Sequence, residues 1–150
     1  MIRRLFSTRY QRLDLDLVLL LIRLVFGSSF IVAGWPKIQH PTIWMGNHDL
    51  IPAAFQALAA IAEFIGGIAL VLGFLTRLGA FGIACTMIVA SAVLHFKWSA
   101  PYFSPATGGP SYILPVMLLL IALIFLVNGP GRFSLDRAVF GERRNASLHP

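Results

Sequence analysis

The stretch "LLLIRLVFG", residues 19–27, decides how this chain is read. It lies inside a longer apolar run, yet Arg23 stands in its middle. An arginine at the centre of a membrane helix costs about 2.5–3.5 kcal/mol even on the lenient insertion scale. The sequence must supply a reason for keeping it.

The run around Arg23 extends over about 15–35, and a helix needs about 20 residues to cross a bilayer. Three further segments have this character, at about 53–75, 78–96 and 111–127. Pro52 suits the first turn of the second segment, and Pro115 is tolerable in the first turn of the fourth. The expected fold is all-α: an integral-membrane four-helix transmembrane bundle, one domain over 1–150 with a basic cytoplasmic tail at 132–150. The first segment has a basic start followed by an apolar run, as a signal peptide does. The run exceeds the usual length of about 7–15 residues and more spans follow, so an uncleaved first helix is expected.

Composition agrees. The chain is 57% hydrophobic and 12% charged with mean hydropathy +0.79, whereas soluble domains carry about 25% charged residues. The net charge of +6 does not point to nucleic acid, because the basic residues sit mainly at the two ends and form no stripe interleaved with aromatics. No nucleic-acid partner is expected. Cys85 is the single cysteine, which excludes an intramolecular disulfide and a CxxC pair; it reads as a small buried or lipid-facing residue.

Charge asymmetry sets the expected orientation. Arg3, Arg4, Arg9 and Arg12 precede the first helix, Arg77 lies in the second connection, and Arg132, Arg137, Arg143 and Arg144 follow the fourth helix. The opposite loops hold only Lys37 and Lys97. The positive-inside rule then places both termini in the cytoplasm. Trp35, Trp44, Trp98, Tyr102 and Tyr112 gather at the outer side, where amphipathic rings favour the interface. In the tail, Gly129 and Pro130 should end the fourth helix, and Ser134 could cap a short helix lying against the inner leaflet.

Glu63 is the single ionisable residue of the second segment and the expected partner of Arg23. Counted from Arg12 and Arg77 as equivalent anchors, the two differ in depth by roughly 5 Å, about one turn. Side chains lean toward their own helix N-termini, which works against contact, so a bridging water or third group is expected. Steps of three and four place Arg23, Gly27, Phe30, Gly34 and Lys37 on one face of the first helix. Gln56, Ala59, Glu63, Gly66, Leu70 and Gly73 share a face of the second, and Arg77, Ala80, Ala84, Met87, Ser91 and His95 one of the third. Small residues let membrane helices approach closely. A polar bundle interior follows, with Arg23, Glu63, Gln56, Ser91 and His95 as ligand-binding candidates. Glu63 and His95 are the candidates for proton transfer, His95 near the outer interface. The bland alternative for Arg23 and Glu63 is a structural ion pair that sets helix register. His40, His48 and Asp49 match no metal-ligand spacing, so no metal is expected.

At these residues the chain resembles the DoxX family of small four-helix bacterial membrane proteins. The matching stretches are "IRLVFGSSFIVAGWPKI", "AEFIGGIALVLGFLTRLGA", "MIVASAVLHF" and "NGPGRFSLD", with "GFLTRLGA" and "GPGRFSLD" the most specific. The family looks related to the DoxD subunit of a thiosulfate:quinone oxidoreductase. The resemblance implies a bacterial inner (plasma) membrane protein linked to quinone or thiol redox chemistry. In one respect the chain departs: relatives commonly carry an acidic residue near the start of the fourth helix, where "TGGPSYILP" has Ser111 and Tyr112.

The expected function is a small inner-membrane subunit of a redox system that binds a quinone or similar amphipathic molecule. Arg23 would orient a ligand oxygen, Glu63 would hold Arg23 and exchange protons, and His95 would bond the headgroup. The alternatives are a small proton-coupled transporter and a membrane scaffold recruiting a redox enzyme. The glycine faces could serve packing within one bundle or between protomers of a homo-oligomer.

Overall fold

The computed structural model describes residues 12–45, 51–104 and 108–140. Arg3, Arg4, Arg9, Arg143, Arg144, His48 and Asp49 lie outside these residues. The described residues are all-helical, without a strand. Helix α1 is Arg12–Gln39, α2 is Ala53–Leu72 and α3 is Thr76–Ala92. A π-helical turn, Val93–Lys97, extends α3; α4 is Ile113–Asn128 and α5 is Leu135–Phe140. Three helical stretches, Asp14–Gln39, Ala53–Leu72 and Thr76–Lys97, are long and apolar enough to cross a membrane; α4 is as apolar but has 16 residues.

Two boundaries differ from expectation for local reasons. Helix α2 stops at Leu72 because Gly73 takes the left-handed conformation (φ 67°) and donates its N–H back to the carbonyls of Ala69 and Leu70. Helix α1 runs through Pro36 to Gln39, near an end where losing one backbone hydrogen bond is tolerable.

Consecutive helices pack against one another, α1 on α2, α2 on α3 and α3 on α4. Glycine sets the closest approach. A Cβ on Gly27 would lie 2.8 Å from the Gly67 carbonyl oxygen, and one on Gly67 would lie 2.8 Å from that of Gly27. Helices α1 and α2 therefore meet backbone to backbone, a contact only glycine permits. Most positions on the small-residue faces read from spacing are buried; Lys37, Ala59 and Ser91 are half-buried, and Arg77 and His95 at the two ends of α3 are exposed.

Phe26, Phe30, Leu70, Ile83, Met87 and Phe125 fill the interior. Phe26 packs edge-on to Phe30 at 4.9 Å between ring centroids and touches Phe125 of α4 at 6.2 Å. Outward-facing positions are also apolar: Val32 and Val127 are more than two-thirds exposed. Such a surface suits a lipid environment. Cys85 is on it, exposed on α3.

Candidate functional site

Arg23 and Glu63 do not meet. The reason lies in how the helices are staggered. Gly27 faces Gly67, Gly34 faces Phe64, and Arg23 faces Gly73. Gly73 is ten residues from Glu63, about 15 Å along the helix rather than 5 Å. The counting anchors were not level: α1 begins well before the other helices do. Arg23 thus lies where α2 ends, α3 begins and α4 has ended. The long apolar run suggests mid-membrane, but Arg23 stands at the end of the bundle.

There its guanidinium is almost fully buried, at 2% exposure. It donates to the carbonyl of Pro130 (2.9 Å) and to that of Phe133 (2.6 Å), so it grips the chain that leaves α4. The same chain is held at further points. The backbone N–H of Arg132 donates to Asp16 Oδ1 on α1 (3.0 Å). The N–H of Asp136 donates to the Gly73 carbonyl (2.8 Å). The Asp136 carboxylate accepts from the N–H groups of Leu75 (2.7 Å) and Thr76 (3.0 Å), two donors that the first turn of α3 leaves free. Ser134 accepts from the Arg137 N–H at 3.3 Å and so starts α5, as its spacing predicts. The two most specific sequence stretches, residues 73–80 and 129–136, are therefore joined in one clasp. Glycine suits position 73: its φ is positive, and a Cβ would lie 2.5 Å from Arg23 Nη1, so a side chain there would push the guanidinium from its place.

Asp136 makes the cap testable. Asp136→Ala removes the acceptor for both N–H groups and should lower stability by about 1–2 kcal/mol. Asp136→Asn, which keeps one acceptor oxygen, should lose less. Thermal unfolding in a mild detergent reads the order; equal losses would show that the charge rather than the cap is what counts.

Glu63 has another partner. Lys37 Nζ donates to Glu63 Oε2 at 2.6 Å, with the carboxylate side chain 5% exposed and the lysine 23%. Antiparallel helices explain the choice. Lys37, three residues beyond Gly34, leans back along α1, and Glu63 leans back along α2, so the two converge. Arg23 and Glu63 lean apart by the same rule. The Lys37 ammonium also lies 4.5 Å from the centre of the Trp44 ring. Trp44 Nε1 donates to the Gln56 carbonyl (3.0 Å). The buried Gln56 side chain donates to the Ile51 carbonyl (2.9 Å) and accepts from the Met45 N–H (3.3 Å), closing the loop over the pair.

The other candidates stand apart. Ser91 donates to its own helix, at the Met87 carbonyl (2.8 Å). His95 is exposed in the π-helical turn, edge-on to Phe96 at 4.7 Å and Tyr112 at 5.0 Å, with Tyr102 next to Tyr112 at 5.3 Å. The structure thus joins Glu63 and Gln56 through Lys37 and Trp44, and leaves Arg23 at the opposite end. Between the ends lies the phenylalanine-rich core, so the interior is polar at two levels and apolar between them. Lys37 was on the right face in sequence; the lean of side chains was the signal that pairs it with Glu63. Asp136 had no such signal, because its partners are backbone groups sixty residues away.

A family model for DoxX matches residues 18–96, from the start of the Arg23 run to the π-helical turn. A membrane protein of Mycobacterium tuberculosis is 34% identical over 77% of each chain. The inner membrane protein YqjF of Escherichia coli is 28% identical over 81% of this chain and 92% of its own. A Bacillus subtilis protein named "Putative oxidoreductase CatD" is 28% identical over 86% of this chain and 92% of its own. No solved structure matches. With three apolar helices long enough to span and relatives named for the membrane, this is a multi-pass protein of the bacterial inner membrane. The matched region holds Arg23, Gly73, Lys37 and Glu63, and the chain belongs to the DoxX family.

Proposed function

We propose that the protein is a small membrane subunit of a redox system that holds a quinone, or a molecule of similar amphipathic chemistry, at the Lys37–Glu63 end of the bundle. The observation that carries this reading is a buried ion pair under an aromatic ring. Lys37 spends one of its three N–H donors on Glu63, and it is part-exposed beside Trp44. A quinone fits that donor set: Lys37 would donate to a carbonyl oxygen, Trp44 would lie against the ring, and Glu63 would hold the ammonium and exchange a proton with it. A bound quinone would supply two-electron, two-proton redox capacity, and a partner enzyme would supply the electrons. His95 and Tyr112 offer further hydrogen-bonding groups at the exposed end of α3. The relative named as an oxidoreductase supports the class of chemistry. Both termini lie in the cytoplasm in this reading, which rests on the arginine asymmetry.

The role first expected of Arg23 moves elsewhere. Its two bonds go to backbone carbonyls, which supports a role in the clasp in place of one at the ligand. The proton-coupled transporter reading has less support, since the core of Phe26, Phe30 and Phe125 gives a proton no polar groups to step along.

Small molecules co-extracted with the protein in mild detergent, identified by mass spectrometry, provide the test. The parent should retain a quinone, Lys37→Met and Glu63→Gln should lose it, and the lipid-facing Val32→Ala should retain it. Equal retention in all four, or equal loss from Val32→Ala and Glu63→Gln, would overturn the site.

A further inference from the structure

We propose that the clasp end carries a binding site for an anionic phospholipid, with its phosphodiester in an arginine-lined cavity and an acyl chain in the groove between α2 and α3. This site is at the opposite end from Lys37 and Glu63 and does not depend on the quinone reading.

The cavity, of about 790 Å³, lies between the start of α3, the end of α4 and the clasp. Arg77, Arg132 and Arg137 line it with Asp16 and Asp136, three positive charges against two negative, leaving one positive charge in excess. The two carboxylates are already engaged. Asp16 takes the Arg132 N–H and lies 3.7 Å from its guanidinium, and Asp136 caps α3. The excess therefore belongs to Arg77 and Arg137. Arg77 makes one long bond, 3.3 Å, to the Val127 carbonyl. Among the described residues the Arg137 guanidinium has no hydrogen bond or ion pair. Two guanidiniums with free donors suit phosphate oxygens, and one net charge matches a phosphodiester monoanion.

Leu75 and Leu78 line this cavity and also a second, apolar one of about 230 Å³. The second runs between α2 and α3 past Ala69, Gly79 and Gly82 to Ile61. It is shallow because the helices are close: a Cβ on Gly79 would lie 3.1 Å from the Gly66 carbonyl oxygen. From Ala69 to Ile61 it covers about 12 Å of helix. A charged cavity that shares Leu75 and Leu78 with an apolar groove at the end of a membrane bundle has the two-part chemistry of a phospholipid. A neutral quinone would leave the charge unmatched, and a free phosphate would leave the groove empty.

The test uses the full chain, delipidated in a neutral detergent. Lipid binding is followed by native mass spectrometry, with circular dichroism to confirm that each variant keeps its helices. The parent should bind phosphatidylglycerol about tenfold more tightly than phosphatidylcholine. Arg137→Gln should lower that preference about threefold, as expected for a part-exposed charge pair. The double variant R77Q/R137Q should abolish it. Ile65→Trp, at the half-exposed edge of the groove, should weaken both lipids while leaving the preference intact. Equal binding of the two lipids by the parent, a preference unchanged by Arg137→Gln, or both affinities unchanged in Ile65→Trp would overturn the proposal. So would full competition by glycerol phosphate at equal concentration, which would mean a phosphate site without the acyl groove. The Arg137 side chain is exposed and, among the described residues, its guanidinium makes no hydrogen bond or ion pair, so Arg137→Gln decides the question even if the double variant fails to fold.

Discussion

Arg23→Met is expected to destabilise the bundle by about 3–5 kcal/mol, because two hydrogen bonds from a buried charged donor are lost and two carbonyls are left without it. Opposing this, the guanidinium carries one buried N–H, Nε, that has no partner among the described residues, and its removal is favourable. One orphaned donor relieved against two charge-assisted bonds lost leaves a clear net cost. The damage should also be local. Residues 130–136 should come loose from α1 and the α2–α3 turn, exposing the peptide bonds near Arg132 and Arg137 to trypsin. Arg23→Lys should recover part of the stability, since one nitrogen replaces a fork that reaches two separate carbonyls. Unfolding in mixed detergent, with limited proteolysis of the native protein, measures both effects. A variant as stable and as protease-resistant as the parent would mean that the clasp is held without Arg23.

The second large effect concerns Lys37 and Glu63. Lys37→Met leaves a buried carboxylate without its cation and should cost about 3–5 kcal/mol. Glu63→Leu should cost less, because Lys37 is about a quarter exposed and keeps its contact with the Trp44 ring. The double variant Lys37→Met/Glu63→Leu should be close to the parent, since hydrophobic replacements of a buried ion pair are often neutral or stabilising. A double-mutant cycle on unfolding free energies therefore predicts strong coupling and an unequal pair of single losses. Additive losses would show that the two side chains act independently. If the double variant is stable yet loses the co-extracted quinone, the pair is retained for its ligand rather than for the fold.

Much of this was legible in the sequence. The apolar segments read as helices because in a bilayer every backbone polar group of a helix is satisfied within its own segment. Three of the four have spanning length in the structure, and the fourth is a shorter apolar helix. Spacing alone identified the buried faces of α1 and α2, because glycines and ionisable residues both avoid lipid, one for packing and one for charge. Gly27, Gly34 and Gly66 were on those faces, and in the structure they are where backbones touch. Ser134 was legible as a cap because capping is local.

The pairing of charges was not legible, for a definite physical reason. A helical face shows which residues point inward, but not how far one helix is slid along the next. Sliding α1 by about 15 Å, under three turns, would bring Arg23 level with Glu63. That stagger is set by the Gly27–Gly67 and Gly34–Phe64 contacts, which exist only once the helices have packed. Apolar segments, glycine faces and the family motifs were properties of the sequence by itself, since each depends on neighbours three or four residues away. That Arg23 closes a clasp while Glu63 pairs with Lys37 was decided by tertiary structure alone: the register between helices selects which of several like-signed charges meets the carboxylate.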